Sequence, residues 1–274
     1  MSAMTDVTTH YDRHGLRDRI DAALVAAGLA DKTLTPTDLA RLDQFHSRGL
    51  AATVELAASL TITPETEALD IGSGLGGPSR YLAATFGCRV QGIDLSASFV
   101  DGATDLAERA GLADKVSYTA ADALDLPFGD ESFDLVWTQH VAMNIADRDR
   151  LYAEAFRVLR PGGRLAIYDV VAGRDGTVLH FPVPWSPGPE TSFLVTPTAM
   201  RERLECQGFS VVSWRDKTDA GIAWFKERQK AQGAPPVLGL HIAMGPEFAV
   251  ASANLGRNLA EGRAGLIEAV LARR

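Results

Sequence analysis

The sequence predicts an α/β fold, a doubly wound and mostly parallel sheet of seven strands, with a helical cap before it and an insertion after the fifth strand. Three observations carry this expectation. From Glu67 onward, short apolar strand patterns alternate with helical ones, which implies a parallel sheet covered by helices. The first strand runs into "LDIGSGLGG", Leu69 to Gly77, a glycine-rich turn of the kind that approaches a nucleotide-like ligand at a strand-to-helix junction. Everything before that turn reads as helix, so the turn does not open the chain.

In chain order, residues 13–27 put Leu16, Ile20, Ala23, Leu24 and Ala27 on one helical face, and Gly28 supplies the stop. A second helix starts at Thr35 as N-cap, with Pro36 in the first helical position and Asp38 in the third. Leu39, Leu42 and Phe45 line one side of it as it runs into "QFHSRG", where Gly49 interrupts it. A third, "LAATVELAASL", ends before Pro64. Residues 1–63 are thus expected to form the cap, and residues 64–274 the sheet-bearing domain. Strand "EALDI" feeds the glycine turn, and Pro78 opens a helix that closes near Gly87. Strand "CRVQGID", a helix from about Ser96 to Ala110, strand "KVSYTA" and strand "FDLVWT" come next, the last after the turn-forming "FGDES". The helix around "DRLYAEAFRVLR" stops at Pro161, Gly162 and Gly163, and "RLAIYDVV" is the fifth strand. A Pro- and Gly-rich stretch at about 172–195 reads as a lid or pocket wall, being too broken for a sheet interior and long for a connector. A helix from Thr196 to Gly208, strand "FSVVSWRD", a helical insertion at about 219–262 and a last strand "GLIEAVLA" complete the order.

Composition bounds the partners. A chain of 274 residues can bury one large core with additions. Its 27 basic and 35 acidic residues give a net charge of −8, without a block of Lys or Arg to track a phosphate backbone, so nucleic acid is not an expected partner. No apolar stretch approaches the roughly 18 residues of a membrane span, and the N-terminus lacks a signal peptide's hydrophobic centre. No membrane partner and a cytoplasmic location are therefore expected. Cys88 and Cys206 each sit inside an apolar pattern, which favours buried thiols over a disulfide or a metal site.

The glycine turn by itself leaves two cofactors open. Gly72, Gly74 and Gly77 satisfy the dinucleotide pattern, and Asp94 stands about 20 residues on, where a ribose-binding acid belongs. NAD would need a pyrophosphate seat on the helix N-terminus, in a loop that usually lies near the start of its domain. S-adenosylmethionine has an adenosine without phosphate, a sulfonium and an amino-acid tail. For it, glycines let the backbone come close, and an acid near the turn, as Asp70 is, becomes useful.

The set "ALDIGSGLGG", "VQGIDLS", "AADALDLPF", "FDLVWTQ" and "VLRPGGRLAIYD" resembles, in order and spacing, the class I S-adenosylmethionine-dependent methyltransferases, which have a Rossmann-like sheet. The resemblance covers roughly Glu67 to Val171. "DIGSGLGG" and "VWTQHVAMNIADR" are most similar to the group containing phosphoethanolamine and sarcosine/dimethylglycine N-methyltransferases. It implies S-adenosyl-L-methionine as cofactor and S-adenosyl-L-homocysteine as product. Carried over by position, Asp70, Gly72, Ser73, Gly74 and Gly76 would wall the methionine portion, Asp94 would bind both ribose hydroxyls, and Leu95 would pack on adenine. Asp122 would meet the exocyclic amine beside the Ala123 backbone, Gln139 the methionine end, and Ser47 the cofactor carboxylate.

The expected function is methyl transfer to a small-molecule acceptor, an amine nitrogen ahead of oxygen or carbon. An NAD-dependent dehydrogenase and a non-catalytic cofactor-binding subunit remain as alternatives, and the protein is expected as a monomer or homodimer. His140, at the C-terminal edge of the fourth strand, is the first candidate for a base, followed by Asn144 and Tyr11. The N-methyltransferases it resembles tend to have an acid where His140 stands and a histidine where Asn144 stands. His46, His140, His180 and Trp185 are the candidate substrate contacts, with the lid aromatics suiting a flat or methylated-ammonium acceptor.

Overall fold

The computed structural model describes residues 15–173, 176–230 and 236–274. Helices α1 (Leu16–Ala26), α2 (Pro36–Asp43) and α3 (Leu50–Ala57) precede strand β1 (Glu67–Ile71). Then follow α4 (Gly77–Phe86), β2 (Arg89–Asp94), α5 (Ala97–Arg109), β3 (Val116–Ala120) and β4 (Phe133–Gln139). Helix α6 (Arg148–Val158) leads to β5 (Leu159–Ala172), and α7 (Pro197–Cys206) to β6 (Phe209–Asp216). Helices α8 (Thr218–Lys230), α9 (His241–Met244) and α10 (Phe248–Ala260) come before β7 (Ala264–Arg273).

The seven strands lie in the order β3-β2-β1-β4-β5-β7-β6. The pairs from β3 to β5 are parallel, and β7 runs antiparallel to both β5 and β6. The chain therefore reverses its winding between β1 and β4, and in such sheets the crevice at the carboxyl ends of those strands takes the ligand. Strands β1 and β4 are buried along nearly their whole length, as the middle of a doubly covered sheet requires. The cap helices do not have a core of their own. Leu16, Ile20, Leu24, Leu39 and Leu42 join Phe99 and Leu106 of α5 and Ile242 of α9 in one buried cluster.

Two boundaries differ from those expected. Helix α2 ends at Asp43, before "QFHSRG", because Gln44 and His46 turn inward and hydrogen-bond each other (His46 Nε2 to Gln44 Oε1, 3.0 Å) instead of continuing an amphipathic face. Helix α6 gives way to β5 at Leu159, ahead of Pro161. The pairing shifts register between Phe133 and Leu135, so residues 160–163 form a bulge that accommodates the missing N–H of Pro161 and the left-handed Gly162 (φ 81°). The helical insertion contains three helices among the described residues, α9 being a single turn. No described helix is long and apolar enough to cross a membrane.

The N-terminus of α2 shows how strongly local chemistry sets these elements. Thr35 Oγ1 accepts from the Asp38 N–H (3.2 Å), and Asp38 Oδ2 accepts from the Thr35 N–H (2.9 Å), a reciprocal capping box. The Thr35 hydroxyl, donating to Asp38 Oδ2 (2.6 Å), and then the Thr35 backbone N–H hold the Asp38 carboxyl below its usual range. Thr35→Ala is expected to cost about 1 kcal/mol of stability, readable as a lower midpoint in urea denaturation with an unchanged slope.

Candidate active site

The carboxyl ends of β1, β2 and β4 open onto a cavity of about 410 Å³. Gly72 (φ 70°) and Gly74 (φ 53°) line it in left-handed conformations. A Cβ on Gly72 would come within 2.4 Å of the Val141 side chain, and one on Gly74 within 2.7 Å of the Phe45 ring. Here the glycines allow both backbone handedness and close approach. Phe45 in turn stacks on Phe99, with ring centroids 5.4 Å apart.

Asp94 ends β2 at the wall of this cavity. Its Oδ2 accepts from the Gly74 N–H (2.9 Å) and its Oδ1 from the Ser96 N–H (2.9 Å), and the Leu95 backbone N–H adds a third donor, so both oxygens are fixed in place. Burial raises its pKa, and those backbone donors work against the rise. Asp122 accepts from the Leu124 N–H through Oδ1 (2.9 Å), which leaves Oδ2 uncommitted. Leu95 and Ala123 line the cavity beside these two acids.

Asp70, Ser73 and Gly76 are not among the cavity-lining residues; they build the turn from behind. Asp70 accepts from the Ser79 hydroxyl (2.6 Å) and also from the Ser79 backbone N–H, in the first turn of α4. Burial pushes its carboxyl up to about 7, opposed by Ser79 and reinforced by the charge of Asp94. The Asp70 side chain thus ties the end of β1 to the first turn of α4. Gly76 (φ 76°) is needed because a Cβ there would lie 2.2 Å from the Tyr118 hydroxyl, and the Ser73 N–H donates to the Ile93 carbonyl (2.8 Å).

At the other end of the cavity stand Gln139 and His140. Gln139 Oε1 accepts from Trp137 Nε1 (3.0 Å) and from Thr53 Oγ1 (3.1 Å), whereas its Nε2 is buried without a partner. A buried amide donor left unpaired calls for an acceptor. His140 has φ 54°, its N–H donates to the Tyr168 carbonyl (2.8 Å), and its ring stacks on that of Tyr168 at 5.4 Å. Its Nε2 pairs with Ser47 Oγ (3.2 Å), which also bonds the Tyr168 hydroxyl (3.2 Å). Burial, then the neighbouring His46, holds the His140 pKa well below its ordinary value, so the imidazole is neutral at pH 7.

The remaining sequence candidates divide. Asn144 and Trp185 line the cavity, and Trp185 donates from Nε1 to Ser192 Oγ (2.9 Å). Ser47 does not line it: this side chain is a brace for His140 and Tyr168, not a cavity-facing group. His46 is likewise behind the wall, bonded to Gln44 and to the Ser47 carbonyl, with its pKa driven down to about 4 by burial. His180 pairs with Glu261 (2.8 Å) away from the cavity. Tyr11 lies outside the described residues. Sequence reasoning missed Phe45, Met143, Met244 and the partnership of Tyr168 with His140. Phe45 and Tyr168 stand in segments that read as ordinary helix and strand, and Met244 comes from more than 100 residues away along the chain.

A family model described as "Methyltransferase domain" matches residues 69–167. The chloroplastic tocopherol O-methyltransferase of Arabidopsis thaliana is 46% identical over 99 residues, 36% of this chain and 28% of that protein. The sarcosine/dimethylglycine N-methyltransferase of Halorhodospira halochloris is 33% identical over 171 residues, 61% of this chain and 60% of that protein. Among solved structures, geranyl diphosphate C-methyltransferase from Streptomyces coelicolor A3(2), a complex that includes S-adenosyl-L-homocysteine, superposes with a TM-score of 0.73. It is 18% identical, and the superposition covers 100% of this chain and 99% of that one. The chain spans less than half the length of several curated relatives it matches. Residues 69–167 thus match a methyltransferase domain, and the chain has the fold of the class I S-adenosylmethionine-dependent methyltransferases.

Proposed function

We propose that this chain moves a methyl group from S-adenosyl-L-methionine to a small-molecule acceptor. What supports the reading most is the cavity's polar pattern: an anchored carboxylate, a second carboxylate with a free oxygen, and an orphaned amide donor. Asp94 would take the two ribose hydroxyls, Asp122 Oδ2 the exocyclic amine, and Gln139 Nε2 the carboxylate of the amino-acid tail. The cofactor, when bound, supplies an electrophilic methyl on a sulfonium sulfur.

The protein's part is to align the acceptor, exclude water and accept a proton. His140 can take that proton at Nδ1, since Nε2 is engaged by Ser47 and the ring is neutral at working pH. An amine nitrogen is the acceptor atom that the likeness to N-methyltransferases favours. A hydroxyl oxygen is the second reading, favoured by the neutral imidazole, because a hydroxyl must lose its proton as it attacks.

Calorimetric titration with S-adenosyl-L-homocysteine tests the cofactor, and absence of binding would end the proposal. His140→Asn tests the base, since asparagine tolerates positive φ and cannot act as one. Homocysteine-cofactor affinity should stay within about twofold while kcat falls about a hundredfold and the low-pH limb of the rate profile disappears. Undiminished turnover would leave His140 as cavity wall only.

A further inference from the structure

We infer that the acceptor is a largely apolar molecule without negative charge, and that acceptors carrying a phosphate or carboxylate are rejected. This rests on the methyl-transfer reading above. Beyond the cofactor-facing acids, the cavity is walled by Met143, Ile145, Pro184, Trp185 and Met244. The polar lining residues not assigned to the cofactor are Ser96, His140, Asn144 and Asp147, and Asp147 Oδ1 already caps the Arg150 N–H at 3.0 Å.

Among the described residues, no lysine or arginine lines the cavity, whereas Asp94, Asp122 and Asp147 do. The cations behind its walls are committed elsewhere. Arg48 pairs with Glu55, Arg80 with Asp43 (2.7 Å), and Lys217 with Glu55 (2.9 Å). Arg148 Nη2 donates to the Phe193 carbonyl (3.0 Å) and its Nε to the Ile145 carbonyl (3.3 Å). An anionic acceptor would therefore lose its hydration without gaining a counter-charge from a side chain, and would meet three carboxylates of its own sign. An apolar body gains by burial against the methionines and the indole face, and one hydroxyl or amine on it can reach the neutral His140. Trp185 suits this, because its N–H is already held by Ser192 and its face needs no polar partner.

The test uses the full chain saturated with S-adenosyl-L-homocysteine, so that Asp94 and Asp122 are engaged. Calorimetry compares 2-naphthol with 2-naphthyl phosphate and 2-naphthoate, and geraniol with geranyl diphosphate. The uncharged member of each series should bind at least about tenfold more tightly than its anionic relatives. Met244→Lys, which places a cation at a partly exposed wall position, should narrow the gap to the phosphate ester. Tighter binding of a phosphate or carboxylate member to the unaltered protein would overturn the inference, as would failure of both uncharged molecules to bind. Failure of S-adenosyl-L-homocysteine itself to bind would instead remove the methyl-transfer reading, so the two are told apart.

Discussion

Asp94→Asn is expected to weaken S-adenosyl-L-homocysteine binding by about a hundredfold. The aspartate oxygens are held by the backbone N–H groups of Ser96, Gly74 and Leu95, and would accept the ribose hydroxyls. Hydrogen bonds to a charged group contribute about 1.5–3 kcal/mol apiece. Asparagine keeps the shape but loses the charge, and its NH₂ group faces a backbone N–H that it cannot accept from. The combined loss is about 3 kcal/mol, the hundredfold named. Titration calorimetry reads it directly, and a thermal melt separates it from loss of fold. Unchanged affinity would remove Asp94 from the ribose site.

Arg80→Met is expected to destabilise the fold by about 3–5 kcal/mol at neutral pH. Arg80 Nη2 donates to Asp43 Oδ2 (2.7 Å) and Nη1 to the Ala103 carbonyl (3.2 Å), and both partners of the ion pair are fully buried. Burial pushes the Asp43 carboxyl up to about 6 even with the guanidinium beside it. Because that value lies above the unfolded one near 3.8, the folded state holds a proton that the unfolded state has released between the two. Stability from this group therefore falls as pH rises from about 4 to about 6. Without Arg80 the folded pKa rises further, so the decline extends to higher pH. Urea denaturation at pH 5 and pH 8 should show the variant's deficit shrinking in acid. Adding Asp43→Leu to Arg80→Met should recover much of the loss, because it removes the stranded charge.

The succession of strands and helices was legible because strands with short apolar runs announce themselves one by one, whereas their order across the sheet comes from the structure. Asp94, Asp122 and Gln139 were legible for a related reason: each sits at or just past the end of a strand, where sequence position maps onto the cavity rim. Asp70 and Gly76 occupy equally suggestive positions, yet their partners, Ser79 and Tyr118, turn them toward the frame of the turn. Ser47 shows the limit most plainly. Its bonds to His140 and Tyr168 join residues 93 and 121 positions apart in sequence, and no periodicity reports such a meeting. The acceptor end was least visible, since Met143, Trp185 and Met244 converge from a 3₁₀ turn, the lid and a one-turn helix.

The stretch from Asp43 to Ser47 touches three parts of the molecule within five residues: Asp43 grips Arg80, Phe45 lies over Gly74, and Ser47 steadies His140. Lifting this stretch to admit or release a ligand would strip a guanidinium and a carboxylate from each other inside a dry interior, at a cost comparable to much of a domain's net stability. The roof over the glycine turn therefore behaves as a fixed wall, and traffic is cheaper on the side of Pro184, Trp185 and Met244, where apolar contacts can part and re-form without separating charges.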